Sequence, residues 1–136
     1  MTSDRVALDT GAMMLHFADD RHIRDTMTRI QSGTLESHTC EPNMAELYYK
    51  TCETFGREVA ELRTTTIRES NILIHPVDKM LTEQAGSLKC RYRGKISLAD
   101  AYILATSLEY KCGRLFTTDP RLKEIDVVPT SLLSVP

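Results

Sequence analysis

The chain lacks most of the features that assign a protein to a class at first reading. It has no excess of one charge: 17 lysines and arginines stand against 19 aspartates and glutamates, a net charge of −2. A dedicated electrostatic binder of nucleic acid is usually strongly basic, so only a local basic patch remains compatible with that class. No run approaches the ~18 apolar residues of a membrane helix. The start, Met1-Thr2-Ser3-Asp4-Arg5, lacks a basic signal-peptide region, which points to a soluble, cytoplasmic protein. Cys40, Cys52, Cys90 and Cys112 stand too far apart for a zinc motif. Without a secretion signal they are expected to be mostly buried thiols and not a disulfide framework. His16, His22, His38 and His75 show no ligand spacing. No repeat or linker is visible, and six glycines and five prolines are too scattered to mark a boundary. Residues 1–136 are therefore expected to form one domain.

What the chain does contain is an alternation of two periodicities. Arg5-Val6-Ala7-Leu8-Asp9 reads as a buried strand ending at an acid, and Ala12 to Phe17 as the start of a helix. Asp19-Asp20 predicts a helix cap, with the helix running through Ile30 and stopped by Gly33. Thr34 to Cys40 reads as a strand with Leu35 as its one large aliphatic. A helix opens at Pro42-Asn43 with Met44, Leu47, Tyr48, Cys52 and Phe55 at helical spacing. Val59 and Leu62 mark a further helix, and Asn71 to His75 the clearest strand. From Val77, the stripe Met80, Leu81, Ala85, Leu88 and Tyr92 predicts a helix ended by Gly94. Ser97 opens another, expected to end at Gly113. Leu115 to Thr118 reads as a strand, then a helical turn, then Val127-Val128 as a last strand. Strands alternating with helices predict an α/β domain with a mostly parallel sheet.

Four acids fall at informative places. Asp9 and Asp119 end strands, Asp100 lies in the first turn of a helix, and Glu46 sits one turn into another. In an open parallel sheet, ligands bind beyond the carboxyl ends of the strands, where all four would meet. Each acid also has a purely local explanation. Asp9 caps a helix, Ser97 and Asp100 form a capping box, Asp119-Pro120 is a cap followed by proline, and Glu46 pairs with Lys50 at i, i+4. Local explanations do not account for convergence, because like charges crowded together repel and usually persist around a divalent cation. Oxygen ligands suit Mg²⁺ or Mn²⁺, and such ions activate water and neutralise charge on a phosphodiester.

The stretches Val6-Ala7-Leu8-Asp9-Thr10-Gly11-Ala12, Asn43-Met44-Ala45-Glu46-Leu47, Ser97-Leu98-Ala99-Asp100-Ala101 and Leu115-Phe116-Thr117-Thr118-Asp119 resemble, in order and separation, the PIN-domain nucleases. That family includes the VapC-type toxins of toxin–antitoxin pairs. The resemblance spans nearly the whole chain. It implies a three-layer α/β/α sandwich around four or five mostly parallel strands, and a Mg²⁺- or Mn²⁺-dependent endoribonuclease. It maps the family's acids onto Asp9, Glu46, Asp100 and Asp119 as catalytic and metal-holding residues, with Thr10, Thr117 and Ser97 in support. It also implies an RNA substrate, a homodimer and, for many members, a small inhibitory antitoxin. Two departures stand out. Thr34 to Pro42 is more polar than the family's usual second strand, and Asp119 is followed by Pro-Arg-Leu where an acid–aromatic pair is frequent.

Lys89, Arg91, Arg93 and Lys95 form a basic stretch before the Asp100 helix. On a continuing helix only Lys89 and Arg93 share a face, and with Lys95 they are the candidate RNA contacts, beside Tyr92 as a stacking residue. Arg21, His22 and Arg24 read as an ordinary exposed helix surface. Two other functions fit a doubly wound sheet: a small-molecule phosphohydrolase or phosphoacceptor, and a catalytically silent PIN-like binding or scaffold domain. The first needs a lysine at a strand end, which is absent. The second is expected to have lost acids that are here all present.

Overall fold

A computed structural model describes residues 2–133. The chain runs β1 (Thr2–Leu8), α1 (Thr10–Phe17), α2 (Arg21–Gln31), β2 (Glu36–Cys40), α3 (Glu41–Phe55), α4 (Arg57–Glu69), β3 (Leu73–His75), α5 (Lys79–Arg91), α6 (Leu98–Glu109), β4 (Cys112–Thr117), α7 (Pro120–Lys123) and β5 (Thr130–Leu132). The five strands form one sheet in the order β3-β2-β1-β4-β5. All four pairings are parallel.

Strand β1 lies at the centre, and its alternation builds the layers. Val6 and Leu8 face a core with Met13, Ile23, Ile30, Met44, Leu47 and Ile67 from α1 to α4. Ala7 faces the opposite core, with Leu81, Leu88, Ile103, Leu104 and Leu122 from α5 to α7. The result is a three-layer α/β/α sandwich around a five-stranded parallel sheet. Asp20 caps α2 by accepting from the His22 amide at 2.8 Å, and Gly33 leaves that helix at φ +82°. None of the described helices is long and apolar enough to cross a membrane.

Strand β2 is buried in spite of its polarity, because it runs between β1 and β3. Its histidine finds partners inside the fold, while the hydroxyls of Ser37 and Thr39 are buried without a hydrogen-bond partner among the described residues. His38 lies 2.7 Å from His75 through Nδ1 and 2.7 Å from Glu36 through Nε2, and Tyr110 stacks on His75 at 3.6 Å. The run expected to be the clearest strand yields only three paired residues, at the sheet edge, with Leu73 exposed.

Other expectations are corrected by the fold. Met80 points to solvent while Leu81, Ala85 and Leu88 are buried, since one residue rotates a helix by about 100° off the stripe. In α4 the buried residues are Ala60 and Ile67, and Leu62 is exposed. Phe55 is also exposed, beneath the Arg63 guanidinium at 4.7 Å. Helix α6 ends at Glu109 through Tyr110 and Lys111 (φ +54°), so Gly113 belongs to β4. The last strand is Thr130–Leu132, while Val128 is buried in the loop before it. Helix α5 stops at Arg91, which leaves Arg93 and Lys95 in the following turn and not on one face with Lys89. Cys40 and Cys112 are buried, Cys52 is half-buried and Cys90 is exposed.

Candidate active site

The parallel sheet decides where the acids go. Asp9 directly follows β1, Asp119 lies two residues past β4, and α3, which carries Glu46, starts where β2 ends. Helix α6 leads into β4, so its first turn, with Asp100, returns to the same end of the sheet. This is the crevice where open α/β sheets hold ligands.

Asp9 is the centre of the site and the most deeply placed of the acids, 5% exposed. One carboxylate oxygen accepts from the Ala12 amide at 2.9 Å, which caps α1. The other accepts from the Thr117 hydroxyl. Burial pushes the Asp9 carboxyl up to about 7; the two hydrogen bonds oppose this, and the charges of Asp100 and Glu46 add to it. Asp100 is likewise pushed up by burial and by Asp119, against the hydrogen bonds from Ser97. Ser97 and Asp100 form the expected capping box: the Ser97 amide donates to Asp100 at 2.9 Å and the Asp100 amide to the Ser97 hydroxyl at 3.1 Å. Asp119 caps α7, and Arg121 holds its carboxyl below the usual range. Glu46 lies 3.8 Å from Lys50. Every local explanation available to these acids is therefore realised, and the charges of Asp100 and Glu46 still reach Asp9, as that of Asp119 reaches Asp100.

Thr10 and Thr117 both touch this network. The Thr117 oxygen accepts from the Asp119 amide at 3.0 Å while its proton goes to Asp9. The Thr10 hydroxyl donates to the Asn43 carbonyl and accepts from the Asn43 side-chain amide, both at 3.2 Å. Asn43 also accepts from the Cys40 thiol at 3.0 Å. Asn43 is buried and ties α1 to α3. The sequence marked it only as a helix opener, although a polar residue one turn before Glu46 on its helix was the available signal. Gly11 is required by close approach: a Cβ there would stand 1.9 Å from the Thr118 hydroxyl. Arg121 was missed altogether. Its Nη2 lies 2.7 Å from Asp119 and 3.9 Å from Asp100. Among the described residues the cations paired with these acids are Lys50 and Arg121, not the candidates Lys89, Arg93 and Lys95, although Lys95 lies two residues before Ser97.

The donor chemistry fits a hard divalent cation. All four acids offer hard oxygen donors, and their charges act on one another: Asp100 and Glu46 on Asp9, and Asp119 on Asp100. Among the described residues, no three His, Cys, Asp or Glu side chains stand close enough to hold one ion. Each acid has a nearer partner: Thr117 for Asp9, Ser97 for Asp100, Arg121 for Asp119 and Lys50 for Glu46. Two grooves flank the site. One of about 460 Å³ is lined by Gly11, Met14, Phe55, Arg63 and Thr118. The other, of about 360 Å³, runs from Glu46 and Ser97 past Tyr49, Leu98 and Tyr102.

Solved structures share this architecture. VapBC2 from Rickettsia felis, bound to a DNA fragment from its promoter, superposes with a TM-score of 0.74 at 16% identity, over 94% of this chain and 98% of that one. VapC20 from Mycobacterium tuberculosis, described as a sarcin-ricin loop cleaving toxin, gives 0.66 at 18% identity, over 84% and 91%. VapBC-1 from nontypeable Haemophilus influenzae gives 0.69 at 13% identity, over 94% and 97%. Among curated proteins, none matches the sequence significantly. The model of the PIN domain matches residues 6–128, a span that contains all four acids, and the chain belongs to the PIN domain family.

Proposed function

We propose that this chain is a divalent-metal-dependent endoribonuclease, working in the cytoplasm as the toxin of a toxin–antitoxin pair. The observation that supports the reading is the position of Asp9, Glu46, Asp100 and Asp119 on elements that begin or end at the carboxyl side of the sheet, with the Asp9 carboxyl raised first by burial and then by the charges of Asp100 and Glu46. Membership of the PIN family supports nuclease chemistry. The toxin–antitoxin complexes among the solved structures that share the fold support an antitoxin partner, and the sarcin-ricin loop cleaved by one of those toxins supports RNA as substrate. The homodimer that the resemblance implies belongs to the same reading.

Bound Mg²⁺ or Mn²⁺ supplies charge neutralisation at the phosphate and a water of lowered pKa. Asp9, Asp100 and Asp119 would hold such an ion through oxygen, and Glu46 would complete the carboxylate set or orient the attacking water. Thr117 fixes the Asp9 carboxyl, Ser97 fixes Asp100, and Thr10, locked on Asn43, orients the first turn of α1. The amino-terminal end of α6 adds positive potential near a bound phosphate. Lys89, Arg93 and Lys95 provide phosphate contacts along the RNA.

The test is cleavage of a structured and an unstructured RNA in Mn²⁺, Mg²⁺ or EDTA, with Asp9→Asn alongside. Cleavage that requires metal and vanishes in the variant is the expected result. Full activity in Asp9→Asn overturns the site.

A further inference from the structure

A charged side chain of this same molecule already stands where two of the acids would share a cation. Arg121 lies in the first turn of α7, two residues beyond Asp119. Its backbone amide donates to Asp119 Oδ1 at 2.9 Å. Its Nε donates to the same carboxylate at 3.1 Å, and its Nη2 donates to Oδ2 at 2.7 Å. The same Nη2 faces Asp100 Oδ2 at 3.9 Å. A planar guanidinium thus takes both oxygens of one acid in the fork geometry that favours arginine over lysine, and leans on a second.

We infer that Arg121 is a built-in counter-ion that occupies Asp119 and Asp100 in the metal-free protein and must leave them before a divalent cation binds. This rests on the metal-dependent reading above and deepens it. Three observations carry it. The contact is bidentate and directional, not a diffuse attraction. It joins two of the acids assigned to the ion, with one Nη2 at 2.7 Å from Asp119 and 3.9 Å from Asp100. The guanidinium also has a route out, because the Arg121 side chain is 57% exposed while Asp119 and Asp100 are 23% and 13% exposed. Exposed ion pairs are weak, so the clamp neutralises the acids yet yields to a stronger cation. Arg121 is then a positioning residue: it holds the two carboxylates side by side and sets how much metal the site requires. Lys50 is the other cation of the cluster. It pairs with Glu46 at 3.8 Å and its charge reaches Asp119, but it makes no fork.

The experiment is Mn²⁺ binding to the full chain, read from the loss of the free-ion electron paramagnetic resonance signal, without RNA. Wild type, Arg121→Gln, Arg121→Lys and Lys50→Gln are compared. Arg121→Gln is expected to bind Mn²⁺ about five- to tenfold more tightly, Arg121→Lys to fall between it and wild type, and Lys50→Gln to change less. In wild type, Mg²⁺ is expected to expose the Arg121 Nε–H to solvent exchange by nuclear magnetic resonance. Equal or weaker binding in Arg121→Gln overturns the inference while leaving the metal reading intact. An equal gain in Lys50→Gln also overturns it, since the effect would then be bulk charge. Absence of Mn²⁺ binding in all four proteins overturns the metal reading and this inference together.

Discussion

Thr117 donates its hydroxyl proton to the buried carboxyl of Asp9. The same oxygen accepts the amide of Asp119 at 3.0 Å, so a single hydroxyl couples the acid after β1 to the acid after β4. Replacing it with a methyl of the same shape leaves a buried carboxyl oxygen and an amide without partners.

Thr117→Val should therefore destabilise the fold by about 1–3 kcal/mol, the cost of orphaned polar groups. Thr117→Ser should recover most of that loss. Urea unfolding measures both, and a valine variant as stable as wild type would show that the hydroxyl holds nothing.

Asp9→Asn should change how stability depends on pH. The folded Asp9 carboxyl sits at about 7, above its ordinary 3.8, so the folded chain keeps a proton that the unfolded chain has lost. Its stabilising contribution is complete below 3.8 and disappears as pH rises through about 7. Asparagine does not ionise. Relative to wild type, the variant should gain stability between pH 4 and pH 8, by as much as about 4 kcal/mol. Asp100 has the same sign and Asp119 the opposite one, and both are present in the two proteins compared. Thermal melts of the two proteins across that range provide the check, and a flat difference would contradict the buried carboxyl.

Gly11→Ala should push the start of α1 away from the loop after β4, since the new methyl meets the Thr118 side chain at 1.9 Å from its hydroxyl. A loss of about 1–3 kcal/mol is expected for such overpacking. Pairing it with Thr118→Ala should restore part of the loss, which a double-mutant cycle reads directly.

Neutralising Lys89, Arg93 and Lys95 together should weaken RNA binding by a similar factor for different sequences and flatten its salt dependence. Mn²⁺ affinity should stay the same. Fluorescence anisotropy in increasing salt separates these readouts, and an unchanged salt slope removes the three residues from the RNA path.

The legible parts of this chain were those with short-range causes. Strand β1 ending at Asp9, the Ser97–Asp100 capping box and the Asp119-Pro120 helix start each lie within a few residues, and each appears as expected. What escaped depended on neighbours distant in sequence. Strand β2 looked weak because Ser37, His38 and Thr39 are polar, yet its central place buries them. Strand β5 was misplaced because Val127-Val128 carries the β-branched signal, while pairing with β4 selects Thr130–Leu132. Arg121 pairs first with Asp119, two residues before it, but its link to Asp100 on another helix was invisible in the sequence. The parallel topology that sends strand ends to one side was legible from the alternation of strands and helices.

The hydroxyl bridge between Thr117 and Asp9 also imposes an order on synthesis. The two residues are 108 positions apart, so a growing chain carries Asp9 long before Thr117 and Asp119 exist to meet it. Asp100, too, is made late. The four acids can come together only once the segment carrying β4 has paired with β1, so the candidate site forms last, after most of the chain exists.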